Sequence, residues 1–193
     1  GTAVLGVAAD MSKAEDISRL LEGVRESFGE PDILVTNAGG PPPGTYASTA
    51  IEEYEKAFNL TLMSAVHLIQ GVTPAMKTNG WGRIIAITSI SVKQPIGTLL
   101  LSNMARAGLT GFLKTIATEL APDGITVNAL LPGTHKTSRI DQLAKFRADQ
   151  EKKSPEAIVQ EMMSANPSHT IGDPSDFGAA AAFLASVQAR YIT

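Results

Sequence analysis

The chain has 193 residues, 44% hydrophobic and 18% charged, with a formal net charge of −3. That balance fits one well-buried globular domain over 1–193, and it excludes the clustered Lys/Arg footprint that nucleic-acid binding needs. The absence of cysteine excludes a disulfide framework and thiolate chemistry, and no apolar run reaches the length of a membrane span, so the expected setting is the cytoplasm.

In chain order, Ala3 to Asp10 is a short apolar run ending in an acid and reads as a buried strand. Ser12-Lys13-Ala14-Glu15 has the form of a capping box, and Ile17, Leu20, Leu21, Val24 and Phe28 recur at helical spacing until Gly29 and Pro31. Asp32 to Thr36 reads as a second buried strand, followed by Asn37-Ala38-Gly39-Gly40 and a proline-rich loop. Thr49 to Glu52 offers a further capping pattern for a helix that runs to about Val72, before Pro74 and Gly80. A third strand, Arg83 to Thr88, precedes a long helix from Ser102 to Leu120, and a fourth, Ile125 to Leu131, ends at Pro132-Gly133. Residues 134–170 turn polar and helix-rich, with helices expected over Ile140 to Lys152 and Pro155 to Met163, and form a candidate substrate lid. Asp173 as N-cap with Pro174 at the first helical position opens a last helix through Phe177 to Ala185. Strands alternating with helices over short connections predict βαβ units: an α/β fold with a doubly wound parallel sheet between two helical layers.

Several side chains invite a chemical reading. Ser89 follows the third strand and could bind a carbonyl or merely cap the strand end. Ser102 suits a helix N-cap better than a catalytic acid. Arg106 could clamp a ribose or join a surface salt bridge. Asn59 is unfavourable inside a helix, which a functional role or a local backbone hydrogen bond would explain. Tyr46 and His135 are the remaining candidate proton donors, and Gly108 and Gly111 suggest close helix packing. No metal-ligating cluster is expected.

These motifs, in this order, resemble the short-chain dehydrogenase/reductase family. Ile84 to Ser89 resembles the strand that delivers the family's catalytic serine, and Ser102-Asn103-Met104-Ala105-Arg106 falls where the family has Tyr-x-x-x-Lys. Asn37-Ala38-Gly39 resembles the family's Asn-Asn-Ala-Gly turn with Thr36 in the first Asn position. Asp10 stands where an acid contacts the adenine, and Asn59 where an asparagine holds a water of the proton relay. Pro132-Gly133 with Thr137 resembles the Pro-Gly-x-x-x-Thr segment beside the nicotinamide.

The resemblance implies an NAD- or NADP-dependent oxidoreductase acting on a small carbonyl or alcohol, most similar to 3-oxoacyl-carrier-protein-reductase-like members, and a homodimer or homotetramer joined through the long helix. It implies catalytic roles at Ser89, Asn59, Ser102 and Arg106. Cofactor contacts are implied at Asp10, Asn37, Ala38, Gly39, Arg106, Pro132, Gly133 and Thr137. The chain departs from the pattern where Ser102 replaces the phenol and Arg106 the ammonium. Two alternatives follow from that departure: a catalytically impaired protein that binds nucleotide or a partner, and a lyase or isomerase reusing the pocket. The family's Gly-rich pyrophosphate turn is not in the sequence, so the chain reads as the middle of a longer protein, expected to lack the last strand and the first βαβ unit, whose strands would lie between Ala3 to Ala8 and Asp32 to Thr36.

Overall fold

A computed structural model describes residues 2–193. Its sheet has three parallel strands, β1 (Ile33–Thr36), β2 (Gly82–Ile87) and β3 (Ile125–Leu130), in the order β1-β2-β3. Thr36 is opposite Ala86, and Ile87 is opposite Leu130, so all three carboxyl ends reach one edge. The helices are α1 (Ala14–Phe28), α2 (Ile51–Phe58), α3 (Ser64–Asn79), α4 (Leu100–Leu120), α5 (Ser138–Glu151), α6 (Pro155–Ala165) and α7 (Pro174–Ala185).

The period-2 alternation of β2 explains the layering. Ile84 and Ala86 point into a core made with α1, α3 and α4, built from Leu21, Ile69, Val72, Leu109 and Leu113 together with Val127 of β3. On the opposite face Arg83 and Ile85 are buried, and α7 packs there against β2. Arg83 donates to the Gly82 carbonyl at 2.8 Å and the Ser186 carbonyl at 3.4 Å, and its guanidinium lies 4.5 Å from the centre of the Trp81 ring. This is the expected α/β sandwich with helices on both faces.

Several local expectations are corrected. Ala3 to Asp10 is not a strand: it has no ladder partner, Val4 is exposed, Leu5 and Val7 approach α1 over Gly23, and the Asp10 N–H donates to the Asp16 carboxylate of α1 at 2.8 Å. A strand exists only through ladder partners, and β1 lies at the sheet edge without this segment beside it. β1 is accordingly half-buried: Leu34 and Thr36 face the helices, while Ile33 and Val35 are exposed.

The capping box at Ser12 does not form. Asp10 Oδ1 accepts both the Ser12 N–H (3.0 Å) and the Ser12 hydroxyl (2.7 Å), and Lys13 occupies the N-cap position. The Asx turn has taken the hydroxyl that the cap required. Thr49 likewise gives its hydroxyl to the Thr45 carbonyl (2.7 Å), and Ala50 stands at the N-cap of α2.

The helix expected to stop near Val72 is broken earlier and ends later. A π segment, Asn59–Met63, separates α2 from α3, and α3 passes through Pro74 to end at Gly80, whose φ of 64° suits glycine. Pro74 is exposed, so the carbonyl it leaves unpaired can be hydrated.

α5 and α6 form a hairpin with its own small core of Ala144, Ala148 and Ile158. Arg147, Glu151, Lys153 and Glu161 tie its two arms together at 2.7–3.0 Å. Asp173 caps α7 as expected, accepting the Ser175 N–H at 2.8 Å.

Candidate active site

In an open parallel sheet, ligands bind in the crevice beyond the carboxyl ends of the strands. Here that edge carries Asn37 to Gly39 after β1, Thr88 and Ser89 after β2, and Pro132 and Gly133 after β3. The Thr88 N–H extends the ladder to the Leu130 carbonyl (2.8 Å), which fixes the direction in which the chain leaves toward Ser89.

Ser89 is extended, and its Oγ accepts the Ser91 N–H at 3.1 Å, opening a short 3-10 turn, Ile90–Val92. It therefore caps the turn that follows rather than the strand end. An accepting hydroxyl keeps its own hydrogen, so Ser89 can still donate to a substrate oxygen.

Arg106 is the centre of the site. Only 8% exposed, it donates from Nη1 to the carbonyls of Ile87 (2.9 Å) and Thr88 (3.0 Å), from Nη2 to that of Ala38 (3.4 Å), and from Nε to Ser102 Oγ (3.3 Å). It fastens the ends of β1 and β2 to α4. No carboxylate faces it among the described residues, which corrects the surface salt-bridge alternative. Burial, and then the charge of Arg139, hold its pKa below the ordinary value, yet a guanidinium stays protonated. Four of its five N–H groups are used and one remains.

Ser102 is not an N-cap. Leu99 holds that position, and Ser102 sits in the first turn of α4, 6% exposed, as the acceptor for Arg106. The loop before α4 is instead closed by Asn103, whose amide donates to the Ile96 carbonyl at 2.8 Å.

Asn59 opens the π segment, where the helical bonding pattern is already disturbed, and its side chain makes no hydrogen bond among the described residues. Asn37, Ala38 and Arg106 line a cavity of about 250 Å³ together with Met11 and Thr61. Asp10 adjoins Met11, but its carboxylate is occupied by Ser12, whose two bonds hold its pKa below the usual carboxylate range. Thr137 stands at the N-cap of α5 with no side-chain cap bond.

His135 packs edge-on against Phe177 (5.3 Å between ring centres) and over Gly172, and Tyr46 is 85% exposed. Neither is gathered with Ser89, Ser102 and Arg106 by any contact among the described residues.

Three residues escaped the sequence reading. The hydroxyls of Thr61 and Ser91 are buried without a partner, and Arg139 reaches from α5 to the Pro41 carbonyl at 3.0 Å. Ser91 lies two residues beyond Ser89, and Thr61 two beyond Asn59. Nothing in composition distinguishes them, because what marks them is burial.

The donor set fits the ribose-nicotinamide half of a dinucleotide. The Asn37 amide is unpartnered, Gly39 and Gly133 each have open space where a β-carbon would stand, and Arg106 keeps one N–H.

The whole chain, residues 1–193, matches the family model described as enoyl-(acyl carrier protein) reductase. The NADPH-dependent reductase BacG of Bacillus subtilis is 31% identical over 190 residues, covering 98% of this chain and 73% of that protein. D-beta-hydroxybutyrate dehydrogenase of Rhizobium meliloti is 32% identical over 193 residues, covering 98% and 74%. Among solved structures, L-sorbose reductase of Gluconobacter frateurii, complexed with NADPH and L-sorbose, superposes with a TM-score of 0.88 at 33% identity, covering 96% of this chain and 71% of that one. With the family model matched end to end and relatives above 30% identity across most of both lengths, this chain belongs to the short-chain dehydrogenase/reductase family.

Proposed function

We propose that the protein is an NAD(P)-dependent oxidoreductase that interconverts a carbonyl, of the 3-oxoacyl type, and the corresponding alcohol. The observation that carries this reading is the cluster of Ser89, Ser102 and Arg106 at the carboxyl edge of the sheet, with two hydroxyls that accept and keep their own hydrogens and one buried cation. Asn37, Ala38, Gly39, Pro132, Gly133 and Thr137 hold the cofactor on either side of Ser89, with Asp10 toward the adenine. When bound, the dinucleotide gives a hydride to the carbonyl carbon or takes one from the alcohol.

The chain's own residues do the rest. Ser89 donates its O–H to the carbonyl oxygen and holds it. Arg106 keeps the Thr88 carbonyl, and so Ser89, in place, supplies positive charge as the oxygen becomes an alkoxide, and offers its last N–H to the ribose. The proton reaches that oxygen from water, relayed past Asn59 and Ser102. An aliphatic hydroxyl is a far weaker acid than a phenol of pKa about 10, so proton delivery is the slow step.

The α5–α6 hairpin within 134–170 serves as the substrate lid of the single domain. The subunits pair through the exposed face of α4, at Met104, Ala107 and Gly111. Gly108 has a prior use: its added β-carbon would stand 2.8 Å from Leu62 of the same chain. The cysteine-free composition suits a cytoplasmic protein, and no helix among the described residues is long and apolar enough to cross a membrane. No observation favours a binding protein without turnover, or a lyase or isomerase. Calorimetric titration of the full chain with NAD, NADH, NADP and NADPH tests the reading: heat with at least one is expected, and no heat with any would overturn it.

A further inference from the structure

Arg139 lies in the first turn of α5, and its side chain folds back over the loop after β1. Nη2 donates to the Pro41 carbonyl at 3.0 Å. A β-carbon on Gly40 would fall 2.8 Å from that same nitrogen, so a glycine is what leaves room for the guanidinium. A cavity of about 320 Å³ opens here, walled by Pro42, Pro43 and Leu143, with Arg139 and Gln142 as its polar side chains.

One N–H of five is committed in a recorded bond, and no carboxylate lies within salt-bridge distance of Arg139 among the described residues. A second cation, Arg106, grips the same turn at the Ala38 carbonyl. Burial disfavours the charged form of Arg139, and the Arg139 charge in turn disfavours that of Arg106. Two partly desolvated guanidiniums without an anion are unfavourable as they stand, and an incoming oxyanion would relieve both. The fork of Arg139 matches a planar or tetrahedral oxyanion, and the proline and leucine walls match the carbon chain that carries it.

We propose that Arg139, with Gln142, receives an oxyanion, a carboxylate or phosphate, at the end of the substrate remote from the carbonyl held at Ser89. The proposal deepens the oxidoreductase reading and rests on it. Arg139 then sets substrate class: 3-oxo acids are preferred over their neutral esters.

The test compares kcat/KM for acetoacetate and methyl acetoacetate in the wild type, Arg139→Gln and Arg139→Lys, with KM for the dinucleotide measured alongside. Loss of a charge-assisted hydrogen-bond pair is worth about tenfold to a hundredfold, so Arg139→Gln should lower the acid-to-ester ratio by that factor. Arg139→Lys keeps the charge and should recover part of the ratio, which separates recognition from damage to the fold. A ratio that moves less than about twofold, the scale of a lost neutral contact, overturns the proposal. An equal fall for both substrates with a raised dinucleotide KM also overturns it, by giving the oxyanion to the cofactor's diphosphate.

If the wild type reduces neither compound with either dinucleotide, it is the oxidoreductase reading that has failed. Calorimetry with glutarate then decides the receptor alone. Binding lost in Arg139→Gln upholds it, and equal or absent binding in both proteins overturns it.

Discussion

Replacing Arg106 with methionine keeps much of the volume and removes every donor from a point where four acceptors converge. Two of these, the carbonyls of Ile87 at 2.9 Å and Thr88 at 3.0 Å, make short bonds, and the bonds to Ser102 Oγ and the Ala38 carbonyl are longer. Hydrogen bonds from a charged donor contribute about 1.5–3 kcal/mol each, and a buried acceptor left unpaired keeps its desolvation cost. Relief of burying the guanidinium, 8% exposed here, offsets part of that loss. The two short bonds therefore set the scale, at about 3 kcal/mol of lost stability. Arg106→Lys retains a cation but only a single nitrogen, which can serve one strand end and not both, so about half of that loss is expected. Urea unfolding of the full chain measures both variants, read as a shift in midpoint at constant slope. An Arg106→Met variant within about 0.5 kcal/mol of the wild type, the range of an ordinary surface substitution, would refute the assignment of Arg106 as the clamp.

Other consequences are equally open to measurement. Ser89→Ala should lower kcat/KM by about a hundredfold to a thousandfold, as loss of one donor to a developing oxyanion does, and a change of only a few-fold would remove Ser89 from the reaction. Gly111→Leu points into open space within the chain and should shift the mass in light scattering toward monomer without lowering Tm; Gly108→Leu should lower Tm through its contact with Leu62. An unchanged mass for Gly111→Leu, or a wild type that itself runs as a monomer, would remove the proposed pairing through α4. The bonds from Ser175 hold the Asp173 carboxyl below its usual pKa, so its contribution to stability is fully present above the unfolded value of about 3.9 and is lost as pH falls through the lower folded value. Asp173→Ala should thus lower Tm at neutral pH and converge with the wild type in acid, and a gap that persists in strong acid would contradict the cap.

What the sequence made legible is what periodicity and turn chemistry encode. β2, β3, α4 and α7 stand within a residue or two of expectation, because their apolar spacing and their Gly, Pro and Asp boundaries act locally. The misreadings share a cause in partners that no local window contains. Ala3 to Asp10 has a strand's composition, but a strand is made by its neighbour. Ser12 and Thr49 each have a capping residue's identity and give the hydroxyl to a nearer acceptor. Pro74 halts a helix only where its lost bond cannot be hydrated.

For the candidate site, motif and order place Ser89, Asn37 and Gly133 after the carboxyl ends of their strands, which is where they stand. The place of Ser102 inside the helix was not legible, since an N-cap and a buried acceptor call for the same residue type. Arg106 changed most on folding. Its sequence permits a ribose clamp or a surface ion pair, whereas its surroundings are the carbonyls of three strand-end residues that sequence separation hides. Arg139 stayed invisible for the same reason, its partner Pro41 lying 98 residues earlier.

The most direct test of the central claim is transfer of label. The full chain is incubated with NADH and with NADPH carrying deuterium at C4 of the nicotinamide, together with acetoacetate and a panel of simple ketones, and the products are read by mass spectrometry. Deuterium on the carbinol carbon of the alcohol, slower to accumulate in Ser89→Ala, is the predicted result. Calorimetric binding of a dinucleotide with no label in any product would contradict it.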